Sequence, residues 1–296
     1  MGASWIKHFK KEFTLGQCSL KARNPQLFLR SQWGFHPVIL CYRIATVIYT
    51  LYWLIDSAVR VNSPKWLIYL TIQSYAILTI YFILALVNLI CYMVLGRKKS
   101  EQNIRAASLE EISSCSPAIP KTEDETPARR LRTESYSTPR ALYPSIYIQW
   151  FLLNLNCVFA ILVTVAFWIF VYKPGRPINP VHINMHGINV LLVLVELFVT
   201  AAPIHLIHLI YTSIYYVMYI IFTVIYWAAG GTNLRGKSYI YRSLNYGEHP
   251  GQATGYIFLG TCVAIPLLQF LVWNLHLLRR HLYLKCNRKD GEVPHC

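Results

Sequence analysis

The sequence predicts an all-α integral membrane bundle of about six transmembrane helices, both termini cytoplasmic. Three observations carry that prediction. The chain has 296 residues, of which 55% are hydrophobic and only 14% charged, whereas soluble domains average about 25% charged residues. Six apolar runs reach the roughly 20 residues that a helix needs to cross the hydrocarbon. Basic residues then gather on one side of those runs, as cytoplasmic loops do. Lys and Arg number six in residues 1–35, nine in 96–143 and five in 279–296. The alternate connections hold two, two and three.

Taken in order, residues 1–35 form a basic cytoplasmic segment with no apolar core of the kind a cleaved signal peptide carries. Transmembrane helices one and two occupy 36–95, the first over His36 to Val59 and the second over Trp66 to Leu95. Residues 96–143 are rich in Ser, Thr, Glu, Pro and Arg, a composition that reads as a disordered cytoplasmic loop. Helices three to six occupy 144–278: Ser145 to Tyr172, Ile183 to Ala201, His205 to Ala229 and Ala253 to Leu278. The fourth and fifth runs nearly touch, and Ala201-Ala202-Pro203 divides them, because proline disfavours helix in the residue before it. Residues 279–296 form a basic tail. The net charge of +15 then belongs to the cytoplasmic leaflet, where it attracts anionic lipid. No basic-aromatic module accompanies it, so nucleic acid is excluded as a partner. Eight cysteines are scattered without a CxxC pair and read as free thiols.

In the fourth helix, His182, His186, Asn189, Val193, Glu196 and Thr200 share one face at 3.6-residue spacing. Ionisable groups in lipid are costly, so this stripe faces the bundle interior or a wet cavity. His182 and His186, with His205 and His208, suggest metal ligands. The two pairs lie at opposite ends of the membrane on this topology, about 20 Å or more apart, so no metal site is expected. Arg43 and Glu196 lie at equal depth from the cytoplasmic side. They either pair, or Arg43 snorkels to the headgroups. Thr71 and His186 lie at matching depth from the outer side. A neutral imidazole there takes a hydroxyl proton as general base, while the bland alternative is a threonine bonded to its own backbone.

Four patches carry a resemblance: FLRSQWG at Phe28 to Gly34, CYR at Cys41 to Arg43, KWLIYLTIQSYAILTIYF from Lys65, and AAGGTNLRGKSYIY from Ala228. They resemble the rolling-stone-like family of multipass membrane proteins over nearly the whole chain outside 97–143. The resemblance implies a plasma-membrane protein acting in myoblast or other cell–cell fusion, with the endoplasmic reticulum as the alternative location. It also implies a protein partner at the outer loops. A more distant likeness is to the androgen-induced, FAR-17a-like intramembrane hydrolases of fatty acid esters of hydroxy fatty acids. Their threonine lies in a Leu-Thr step matching Leu70-Thr71, and their histidine precedes an apolar stretch ending in an acid, matching His186 through Glu196. That likeness implies Thr71 as nucleophile, His186 as base and Asn189 as orienter of the imidazole, acting on a membrane fatty ester without a cofactor. Gln73 and Gly187 depart from the pattern of those hydrolases, in which a ring and a threonine stand at the matching positions.

Overall fold

Apolar helices long enough to cross a membrane make up most of the computed structural model, which describes residues 9, 12–22, 24–31, 33, 36–113, 138–173, 175 and 179–287. Six stretches satisfy that length and apolarity: Val38–Val61, Leu70–Leu95, Arg140–Val171, Pro180–Val199, Leu206–Ala228 and Pro250–Cys286. We refer to them as the first to sixth spans.

Local chemistry sets their ends. The first span stops at Asn62, which adopts a left-handed φ of 43°, a conformation that asparagine tolerates better than most residues. Ser63 then accepts the Lys65 N–H and Pro64 opens a short turn over Pro64–Ile68. The fourth span starts at Pro180, because the Asn179 side chain caps the Val181 N–H at 2.9 Å and proline fits the first turn. It therefore begins three residues before the expected Ile183. The second helix runs on from Leu70 to Ser113, past the expected end at Leu95. Residues 114–137 of the loop expected to be disordered lie outside the described residues. The sixth helix continues to Asn287, past the expected end at Leu278, and Arg279 is buried within it.

Two faces follow from the connections. The far face carries the turns 62–69 and 229–249 and the described residues between the third and fourth spans: Lys65 Nζ donates to Thr232 Oγ1 at 2.6 Å and the Leu234 N–H to Tyr69 at 3.3 Å. The terminal face carries the N-terminal segment, the break at 200–205 and the end of the sixth helix. There Trp33 donates to the Phe198 carbonyl at 2.8 Å and its ring meets Tyr283. The third span is the most enclosed of the six. It separates two cores, one led by Tyr75, Phe82, Trp150 and Leu197 and the other by Leu70, Phe159 and Tyr219. Ile48, Ile55, Val59, Met218, Ile225 and Leu267 point outward, an apolar shell that only lipid or another apolar partner would cover.

Candidate functional site

At the terminal half of the membrane, Arg43 Nη2 donates to Glu196 Oε1 at 2.8 Å, and the Tyr81 hydroxyl donates to the same oxygen at 2.6 Å. Arg43 and Glu196 are 0% and 1% exposed. The structure thus brings Arg43 of the first span and the stripe residue Glu196 together in the interior. Among the described residues, Glu196 Oε2 and Arg43 Nε and Nη1 have no hydrogen-bond partner. Below this pair, Arg279 closes the end of the fourth span. Its guanidinium donates to the carbonyls of Leu197 and Thr200 at 2.8 Å and of Ala202 at 3.0 Å. Those are the carbonyls a helix end leaves unpaired, and a cation there also meets the negative end of the helix dipole. Sequence reasoning missed this clamp by assigning Arg279 to the tail. The apolar period running on through Leu282 and Leu284 is the signal that extends the helix past it.

The second and fourth spans run in the same direction, so depth can be counted from the contact of Tyr81 with Glu196. Thr71 and His186 each lie ten residues back, about 15 Å toward the far face, and are level. Their surroundings differ. His186 sits in a π turn over Asn184–Ile188, a distortion frequent at functional positions. Its ring stacks on Phe167 at 3.8 Å and 4°, and its buried Nδ1 has no hydrogen-bond partner among the described residues. His182 lies against the same Phe167 ring at 5.0 Å. Thr71 stands in the first turn of the second span, with the Tyr241 phenol beside it. Burial pushes the Tyr241 phenol up, and the polar groups of Thr71 and Tyr219 beside it partly offset this. Beside it, the Tyr219 hydroxyl donates to the Ile68 carbonyl at 2.9 Å and accepts the Leu70 N–H at 3.1 Å. Tyr219 thereby serves the Leu70 N–H, which the first turn of a helix leaves unpaired. Among the described residues, Thr71 and His186 share no hydrogen bond. Asn189 turns to the third span, accepting from Thr164 at 3.2 Å and reaching the Ala160 carbonyl at 3.5 Å, rather than to the imidazole.

His205 and His208 serve the terminal face. His205 Nδ1 lies 3.1 Å from Glu12, and His208 bridges Asn154 Oδ1 and the Gln17 carbonyl, each at 3.1 Å. Among the described residues, no group of three or more His, Cys, Asp or Glu converges as metal ligands do.

The most fully built polar structure outside the membrane is the far-face loop. Asn233 is 8% exposed, and its Oδ1 accepts the N–H groups of Arg235 at 2.8 Å and Lys237 at 3.1 Å. Its own N–H donates to the Lys237 carbonyl at 2.8 Å. Gly230 and Gly236 turn the chain at φ of 76° and 74°, where a Cβ would be strained. The loop docks on the turn before the second span, so two of the four patches singled out in the sequence meet here. A third, Phe28 to Gly34, docks on the terminal face: Phe28 and Leu29 are buried, and Ser31 pairs with Thr200.

The family described as protein rolling stone matches residues 124–289, more than half of the chain. Protein rolling stone of Drosophila melanogaster is 22% identical over 283 residues, covering 93% of this chain and 91% of that protein. No solved structure matches. A six-span helical chain with these matches belongs to the rolling stone family.

Proposed function

We propose that this protein acts at the cell surface in fusion between cells, presenting its far face outward and meeting a partner through the loop 229–249. The observation that carries this reading is the Asn233-centred loop. It is ordered by its own side chain, docked on the first connection, and still holds Leu234 to Ser238 out to solvent. A surface fixed in advance loses less entropy on binding than a mobile one. The fusion role is the one the rolling-stone resemblance implies, and the excess of basic residues on the terminal side supports an outward far face. The test is a cell-mixing assay with wild type, Asn233→Ala and the pair Thr71→Ala and His186→Ala at equal surface expression. Fusion lost in Asn233→Ala and retained in the other two supports this reading; the reverse pattern removes it.

A second reading is an intramembrane lipid ester hydrolase with Thr71 as nucleophile and His186 as general base. What favours it is the buried His186 Nδ1, level with Thr71 and without a hydrogen-bond partner among the described residues. Fluorophosphonate labelling of wild-type membranes that disappears in both Thr71→Ala and His186→Ala is the expected result. Labelling that survives in either variant eliminates the pair.

A further inference from the structure

We propose that the loop tip Leu234–Arg235–Gly236–Lys237 binds the anionic phospholipid surface of an opposing membrane. Leu234 enters the headgroup boundary while Arg235 and Lys237 meet the headgroup oxygens. This inference rests on the proposed role of the far face and names what that face meets.

The first support is how the tip is held. The loop's other large aliphatic residues turn inward, with Ile240 and Leu244 buried, yet Leu234 is 44% exposed. It does not point out for want of order: its N–H is fixed on Tyr69, and Thr232 before it is bonded by Lys65 and, through its carbonyl, by Tyr226 at 2.9 Å. Asn233 then fixes the backbone on which Arg235 and Lys237 stand. A rigid turn therefore displays one leucine beside two exposed cations.

The second support is charge. Among the described residues, the far-face connections hold Lys65, Lys173, Arg235, Lys237 and Arg242 against a single acid, Glu248. That carboxylate is already occupied by the Asn245 amide at 2.7 Å. Arg235 and Lys237 thus face solvent with no ion pair among the described residues, and the complementary surface is anionic.

The third support is size. A stable protein interface covers about 800 Å² on each partner, far more than a four-residue tip with one apolar side chain offers. A lipid surface needs no such area. Each basic residue near an anionic membrane strengthens binding about fivefold, an inserted side chain adds its apolar burial, and many copies acting together multiply weak contacts.

The test uses the full-length protein in phosphatidylcholine nanodiscs, with capture of phosphatidylcholine vesicles measured with and without phosphatidylserine. The variants are Arg235→Gln/Lys237→Gln and Leu234→Ser. Because these side chains face solvent, wild-type Tm in each variant verifies folding. The expected result is capture that requires phosphatidylserine, falls about 25-fold in the double variant and about tenfold in Leu234→Ser, and fades at high salt. Capture unchanged in the variants, or equal for both vesicle types, overturns the inference. If the double variant stops cell fusion but leaves capture intact, the tip meets a protein instead, and the role of the face survives. If capture falls but fusion persists, the lipid assignment stands and the fusion role fails.

Discussion

Arg43, Glu196 and Tyr81 show what a single charge costs inside a membrane helix. Either ion alone in the bundle would carry a large desolvation penalty, and their 2.8 Å contact offsets it only while both are present. Glu196→Ala should therefore destabilise the protein by about 3–5 kcal/mol, while Arg43→Met with Glu196→Leu should recover much of that loss. Thermal unfolding in detergent measures both, and a single variant as stable as wild type would make the pair dispensable. The depth of each residue is legible in the sequence from its distance to a helix end. Whether Arg43 turns inward or snorkels is not, because that depends on the Tyr81 hydroxyl and the Arg279 clamp arriving from other helices. The same limit applies to Thr71 and His186. Their equal depth can be counted in residues, but the Tyr241 phenol that stands beside Thr71 sits 170 positions away.

At the scale of elements, the N-terminal segment is a docked part of the bundle, although its composition reads only as polar and basic. Glu12 reaches His205 and the Leu206 N–H at 3.1 Å each, and Phe28 packs on Trp150. Burial would raise the Glu12 carboxyl, but the His205 bond and charge, the Leu206 N–H and Trp273 outweigh it and hold the carboxyl below its ordinary value. A carboxylate lowered by folding contributes stability that is complete above its free value and is lost as pH falls through the lower, folded one. Docking of residues 12–22 should hence persist at neutral pH and loosen at acid pH. Hydrogen exchange corrected for intrinsic rates should show protection of this segment falling with pH in wild type, with a flattened response in Glu12→Gln. An equal response in both would assign the effect elsewhere. The six spans themselves were plain from apolar length, because a bilayer demands little else. Their ends were less plain, since Asn179, Ser63 and Arg279 act through caps and clamps that hydropathy does not register.

For the whole molecule, the two faces divide the labour. The terminal face is closed by long-range contacts from the N-terminal segment and Arg279, and the far face by the loop built on Asn233. The patch AAGGTNLRGKSYIY stood out in the sequence, but its docking on KWLIYLT belongs to the fold alone. A role for this loop between cells requires the far face to lie outside the cell. The direct measurement is labelling of Arg235→Cys on intact cells with a membrane-impermeant maleimide, against the wild-type background. We predict labelling of the variant before permeabilisation, at a level the wild type does not reach. Labelling that appears only after permeabilisation would turn the protein over in the membrane and contradict a role for this loop between cells.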